Sequence, residues 1–340
     1  MRIKESVMRL EPYVPGEQPK AKDVVKLNTN ENPYPPSPKC AEVLAGFDLD
    51  RRRRYPDPEF AALREEIARQ NTTTPDRVFV GNGSDEVLAL AARAFVEDDE
   101  KIGSLDPSYS LYKTLAAIRD VEWRGFGKDR TGKAASGKVS LFLWTNPNAP
   151  TGEFAEPKAI AAFARKFPGV VIVDEAYADF ARANCMSLAT APRNRNVIVM
   201  RTFSKSYSLA GLRVGYCVGP ADLIDALYKV KDSYNVDAVA QSVALAALKD
   251  RAYHRKTVAK VVKTRKAFAK ALEKRGWDVI PSESNFVFAK PPAPATAADV
   301  FAMLKSKNIF VRYFPGPLTG DRLRITIGTD SQMKTLLDAL

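Results

Sequence analysis

Val170-Val-Ile-Val-Asp174-Glu175-Ala176-Tyr177 is an unbroken apolar, β-branched run that stops abruptly on an acid. Apolar residues at successive rather than alternate positions predict a strand buried on both faces, as in the middle of a parallel sheet covered by helices on both sides. In open sheets of this kind ligands sit beyond the carboxyl ends of the strands, so Asp174 is expected to emerge at a binding crevice. The competing reading of such an acid is a cap on the next helix.

Outward from this run, strand patterns at 77–80, 102–105, 121–126, 139–144, 196–200 and 214–218 alternate with helical ones, among them Ser84–Phe95, which opens on Ser-Asp-Glu. That alternation, from about 60 to 235, predicts βα units and a mainly parallel sheet. After Asp222 come long helical patterns, including a Lys/Arg-rich amphipathic one at about 251–274. The chain then changes character: strands at 277–280, 285–288 and 323–327, helices near 297–307 and 330–340, and a Pro-rich loop at 290–296 predict a smaller α+β unit. The expected division is an arm at 1–35, a large domain at 36–235 and a small domain at 236–340.

The 340 residues suffice for one sizeable core and a smaller one. Cys40, Cys185 and Cys217 are far apart with no CxxC pair, so neither a disulfide framework nor a metal site is expected. No run approaches the roughly 20 apolar residues of a membrane helix, and no secretory leader is visible at the N-terminus, so a cytoplasmic protein with no membrane partner is expected. The formal charge of +12 and the run Arg51-Arg-Arg-Arg54 raise nucleic-acid binding. The basic residues are spread along the chain among many acids, however, and the run fits a solvated helix end. His254, the only histidine, lies in a Lys/Arg-rich helix and is expected to be exposed structure.

A second stretch carries chemistry: Arg201-Thr-Phe-Ser204-Lys205-Ser-Tyr-Ser-Leu-Ala-Gly-Leu-Arg213-Val-Gly-Tyr216. A lysine among hydroxyls and ahead of an arginine suits an amine that attacks an aldehyde. Such an amine must be partly desolvated, and a phosphorylated cofactor beside it needs hydroxyl donors and a guanidinium, which Ser204 and Arg213 supply. Asp174 would then keep a pyridine nitrogen protonated, and Tyr177 would donate to a phenolate oxygen on the same ring. Gly81-Asn-Gly83-Ser84-Asp85-Glu86 joins a strand to a helix, so its amides can converge on a phosphate at the helix N-terminus. A dinucleotide-binding turn is disfavoured, because Glu86 stands where G-x-G-x-x-G requires glycine.

Together these motifs resemble the pyridoxal-phosphate enzymes of the aspartate aminotransferase fold, and among them the histidinol-phosphate aminotransferases. The likeness includes Leu27-Asn-Thr-Asn30-Glu-Asn32-Pro-Tyr-Pro, Arg54-Tyr55-Pro56-Asp57, Pro107-Ser-Tyr109, Asn146-Pro-Asn148-Ala149-Pro-Thr-Gly152 and Leu323-Arg324-Ile-Thr-Ile-Gly328. The resemblance implies an α/β protein, a fold type I pyridoxal-phosphate-dependent transferase with a mainly parallel seven-stranded sheet. It implies pyridoxal 5'-phosphate bound covalently to Lys205, and amino transfer between a small-molecule donor and a keto acid, foremost histidinol phosphate and 2-oxoglutarate. It also implies a homodimer in which the arm packs on the small domain and the partner.

By the same resemblance Ser84 and Asp85 hold the cofactor phosphate through backbone N–H groups, Tyr109 stacks on the ring, and Tyr55 reaches the phosphate in the partner subunit. Arg324 grips an α-carboxylate, Arg312 and Tyr13 help hold a distal phosphate, and Asn30 belongs to the substrate site. In one departure, Ala149 stands where the family carries asparagine before Pro-Thr-Gly. Asn148 is the expected substitute, with Asn146 or Tyr177 alone as alternatives. Aromatic amino acid aminotransferases and phosphothreonine decarboxylase-like enzymes share the fold. A basic nucleic-acid-binding regulator is the rival from another class; regulators of this fold carry an added helix-turn-helix domain, for which the sequence ahead of the arm motif leaves no room.

Overall fold

In the computed structural model, residues 3, 5–10, 16–19, 23–48, 50–127 and 137–340 are described. A seven-stranded sheet forms the centre, in the spatial order Val78–Gly81, Gly215–Val218, Val197–Thr202, Val170–Asp174, Val139–Thr145, Lys101–Leu105, Glu122–Phe126. All neighbours pair in parallel except Gly215–Val218, which is antiparallel to both strands beside it. Val170–Asp174 lies in the middle, with Val171, Ile172 and Val173 inaccessible to solvent. Its pleat feeds two cores: Val171 and Val173 join Phe142, Trp144, Val197 and Val199 on one face, and Ile172 joins Leu141, Leu143 and Ile198 on the other. The expected both-sided burial is thus met by alternate residues meeting different helical layers.

The chain order reverses where Lys101–Leu105 meets Val139–Thr145, because successive crossovers leave that pair in opposite directions. Such a reversal opens a crevice beyond the carboxyl ends of the strands.

A four-stranded antiparallel sheet, ordered Arg312–Tyr313, Leu323–Thr326, Phe286–Lys290, Asp278–Ile280, builds the small unit with the helices Ala297–Ser306 and Asp330–Ala339. The long helix Arg251–Glu273 contributes Val261, Phe268 and Leu272 to the same core. Leu27 also belongs to it, and Val25–Lys26 pairs in parallel with Ile309–Phe310, tying the arm to the small unit.

Two expectations need correction. Val236, Ala240, Val243, Ala244, Ala247 and Leu248 pack into the core of the large sheet, so the large unit continues past 235 through the helix Ala238–Lys249. Its apolar face is committed to the helices before the large sheet, which the sequence pattern alone does not reveal. His254 is not exposed: its imidazole stacks on Tyr207 with centroids 4.0 Å apart, and Nε2 lies 3.4 Å from Asp179. The arginine run coincides with the 3-10 helix Asp50–Arg53. Cys40, Cys185 and Cys217 are buried free thiols. Among the described residues no helix is long and apolar enough to cross a membrane, and no group of three His, Cys, Asp or Glu side chains is placed to hold a metal.

Candidate active site

A cavity of about 610 Å³ opens at the crevice predicted by the strand order. Ser104 and Leu105, Thr145, Asp174 and Thr202 line it from the carboxyl ends of four parallel strands. Asp174 sits at its floor, 3 % exposed. Tyr112 Oη donates to Asp174 Oδ2 at 2.8 Å and the Ala176 N–H to Oδ1 at 3.1 Å. No cation lies within 4 Å of it among the described residues. Burial, against these two hydrogen bonds, pushes its pKa up to about 6. Glu175 instead pairs with Arg201 at 2.8 Å and does not line the cavity.

Lys205 lines the same cavity and donates from Nζ to Thr29 O at 3.1 Å. Burial, reinforced by the Arg324 and Arg213 guanidinium groups and opposed by Asp85 and Glu31, lowers its pKa to about 8. The loop carrying Thr29 is held in turn by Asn30, whose backbone has φ 57°. Asn30 Nδ2 donates to Tyr177 Oη at 2.9 Å, Thr326 Oγ1 donates to Asn30 Oδ1 at 3.0 Å, and Asn285 Nδ2 donates to Asn30 O at 2.9 Å. One asparagine therefore joins the arm, the large unit and the small unit around Tyr177.

An anion cradle adjoins Lys205. The helix Ser84–Phe95 begins after Gly83, which offers no side-chain cap, so its first-turn amides stay available to a ligand. Arg213 Nη1 donates to Ser204 Oγ at 3.2 Å, while Nη2 contacts Asp85 Oδ2 at 3.2 Å. Two glycines permit this close packing. A Cβ on Gly83 would lie 2.6 Å from Arg213 Nη2, and one on Gly215 would lie 2.5 Å from Ser84 N. Gly83 also has φ +81°, a conformation costly for other residues.

At the other end of the cavity Arg312 and Arg324 are direct partners in antiparallel strands. Side chains so paired share one face of the sheet, and like charges placed that way repel. Both guanidinium groups lie over Phe314, at 5.3 and 5.1 Å from its centroid, and Arg324 donates to Asn28 O at 3.0 Å. Two adjacent arginines in a cavity wall have the chemistry to receive a phosphate or a carboxylate.

Ser84, Asp85, Tyr109, Asp174, Tyr177, Ser204, Lys205, Arg213, Asn30, Arg312 and Arg324 are thus brought to one cavity. Asn148 is not. Its amide donates to Pro107 O at 3.0 Å and Thr151 Oγ1 at 3.1 Å, and its carbonyl accepts from Ser108 Oγ at 2.9 Å. Asn146 is likewise engaged with both the carbonyl and the N–H of Ala155. Ala149 and Pro150 are the members of this loop that line the cavity, and both expected substitutes are used in holding the loop. Tyr55 is 80 % exposed and stacks on Tyr234 at 4.3 Å, outside the cavity of its own chain. Tyr13 lies outside the described residues. Tyr112, which sequence reasoning missed, is inaccessible to solvent and bonds Asp174 from the helix Leu111–Arg119. Its one signal was a hydroxyl on the apolar face of a helix next to Tyr109.

The architecture agrees with comparisons to known proteins. The model of aminotransferase class I and II matches residues 22–340. The histidinol-phosphate aminotransferase of Syntrophotalea carbinolica is 44 % identical over 350 residues, covering 99 % of this chain and 98 % of that one. That of Chromohalobacter salexigens is 43 % identical, covering 98 % and 97 %. The crystal structure of histidinol-phosphate aminotransferase from Sinorhizobium meliloti in complex with pyridoxal-5'-phosphate superposes with a TM-score of 0.90 at 24 % identity, over 100 % of this chain and 96 % of that one. The chain belongs to the class I and II aminotransferase family.

Proposed function

We propose that this protein is a pyridoxal-phosphate-dependent aminotransferase that moves the amino group of histidinol phosphate to 2-oxoglutarate, giving imidazole-acetol phosphate and glutamate. The observation that carries the reading is the meeting, in one cavity, of a half-buried lysine of depressed pKa, a buried carboxyl lacking a cation, and two groups of residues suited to anions.

The cavity fits the cofactor. A buried carboxylate is costly without a positive partner, and a protonated ring nitrogen is such a partner for Asp174. The Ser84 and Asp85 amides, Ser204 and Arg213 suit its phosphate, Tyr109 its ring face, and Tyr177 its phenolate oxygen. Bound pyridoxal 5'-phosphate supplies the carbonyl that captures the amino group and the ring that accepts the electron pair left when the substrate's Cα–H bond breaks. The residues do the rest. Lys205 Nζ would hold the cofactor's aldehyde and, when not so engaged, would take the Cα proton; a pKa of about 8 suits a base at neutral pH. Asp174 holds the proton on the ring nitrogen, and Tyr112 and the Ala176 N–H fix the carboxyl for that task.

Arg312 and Arg324 together suit the phosphate of histidinol phosphate, whereas glutamate presents an α-carboxylate for Arg324. A charge-assisted contact to a buried anion contributes about 1.5–3 kcal/mol, or roughly ten- to a hundredfold in affinity. Arg312→Ala is therefore expected to weaken histidinol phosphate by that factor while leaving glutamate within a few-fold, and Arg324→Ala to weaken both. Half-reaction titrations with each substrate check this; equal losses for both substrates in Arg312→Ala would remove the phosphate role from that residue.

The active unit on this reading is a cytoplasmic homodimer. Stacked Tyr55 and Tyr234 are large aromatics left to solvent in a single chain, a surface that suits cover by a second copy. If Tyr55 serves the partner's cofactor phosphate, mixing inactive Tyr55→Ala and Lys205→Ala chains under conditions of subunit exchange restores activity, because one hybrid site holds both native residues. Verified hybrids without activity would confine Tyr55 to its own subunit.

A further inference from the structure

A second depression, of about 720 Å³, lies beside the first half of the helix Arg251–Glu273, where Arg201 and Tyr216 face each other across paired strands. It is lined by an excess of basic side chains. Arg201 is neutralised by Glu175 and Asp179, at 2.8 and 3.3 Å, and Arg182 by Glu156 and Glu283, at 2.5 and 2.7 Å. Arg251, Arg255, Arg265 and Lys266 have no carboxylate within 4 Å among the described residues.

Arg265 is the decisive member, because it is only 4 % exposed. Its Nη1 donates to Phe180 O at 3.2 Å and Ser284 O at 2.5 Å. Its other guanidinium N–H groups have no protein acceptor among the described residues. Its hydrogen bonds go to carbonyls, and burial disfavours its charged form more than the nearby Glu283 carboxylate, already paired with Arg182, favours it. Three more cations converge on the same hollow, and Val258 and Val262 give it an apolar wall. A volume of this size holds a small organic molecule. Arg265 also joins the segment just after Tyr177 to the residue just before Asn285, so the hollow borders the loops that hold the first cavity.

We propose that this cleft is a binding site for a small polyanion of the polyphosphate class, held by Arg265 at its base and by Arg251, Arg255 and Lys266 around it. Inorganic polyphosphate and the phosphate tail of a nucleotide share this chemistry.

The test is a calorimetric titration of the holoenzyme with tripolyphosphate and, separately, with ATP at about 0.15 M salt, where long-range attraction is screened. Saturable binding of tripolyphosphate is expected; tighter binding of ATP would identify the nucleotide as the source, with its base on the Val258–Val262 wall. Arg251→Ala/Arg255→Ala is expected to weaken binding at least about tenfold and to leave amino transfer unchanged, since neither residue lines the first cavity. Lys256→Ala/Lys263→Ala removes the same charge from the same helix outside the cleft and is expected to change affinity less than about threefold. Arg265→Met, checked for folding by its melting transition, is expected to abolish binding. Absence of saturable binding to the wild type, or equal losses in the two double variants, overturns the proposal.

Discussion

Lys205→Ala is expected to abolish amino transfer and to remove the visible absorption of the lysine-bound cofactor, while the chain still folds. No other amine among the described residues lines the cavity except Lys113, which lies over the Trp123 ring at 4.2 Å. The melting temperature of the apoprotein is expected to equal or exceed that of the wild type. Burial that lowers the lysine's pKa to about 8 means that its ammonium is held at a cost in free energy at neutral pH. The sign follows from linkage: a lysine whose folded pKa is depressed destabilises the fold while it is protonated, and the penalty fades as pH rises from about 8 towards the unfolded value of about 10.4. For the same reason the rate at which wild-type apoenzyme captures pyridoxal 5'-phosphate should rise with pH and level off above about 8, as the neutral amine accumulates. Covalent cofactor attachment persisting in Lys205→Ala would move the anchor elsewhere.

Asp174→Asn is the second large effect. The amide keeps the shape of the carboxyl, and Tyr112 Oη can reverse its hydrogen bond, so cofactor affinity is expected to change little. It cannot supply a negative charge to hold a proton on the ring nitrogen. Proton removal from the substrate's Cα should slow about 10²- to 10⁴-fold, the range typical of lost acid–base catalysis. Single-turnover rates with protiated and Cα-deuterated donor measure this, with a larger isotope effect expected as that step becomes limiting. A near-normal rate would show that the buried carboxyl serves only structure.

Much of this was legible in the sequence because local rules and tertiary context agree. The run 170–173 is apolar at every position, and its burial on both faces follows. The helix Ser84–Phe95 has the bounds its pattern predicts, since the preceding Gly83 and the first-turn acids mark its start. Lys205, Asp174 and Arg213 were readable because each follows a strand or turn that fixes its position.

What was not legible depends on contacts between distant segments. The two-residue strands Val25–Lys26 and Ile309–Phe310 are too short for any periodicity, and exist because the arm crosses the small unit. Tyr112 resembles a core aromatic until Asp174 is placed beside it. His254 sits among basic residues, yet Asp179 and Tyr207 from other segments enclose its ring. Asn148 carried the right functional group next to Ala149, but its hydrogen bonds to Ser108, Pro107 and Thr151 commit it to the loop.

The most direct measurement is the half-reaction of the purified holoenzyme with single amino donors, followed by loss of the aldehyde-form cofactor absorbance. Histidinol phosphate is expected to convert the cofactor with a specificity constant well above those of phenylalanine and tyrosine, because the paired Arg312 and Arg324 favour a doubly charged phosphate over a single α-carboxylate at that end of the cavity. Preference for phenylalanine or tyrosine over histidinol phosphate would contradict the assignment and make the protein an aromatic amino acid aminotransferase.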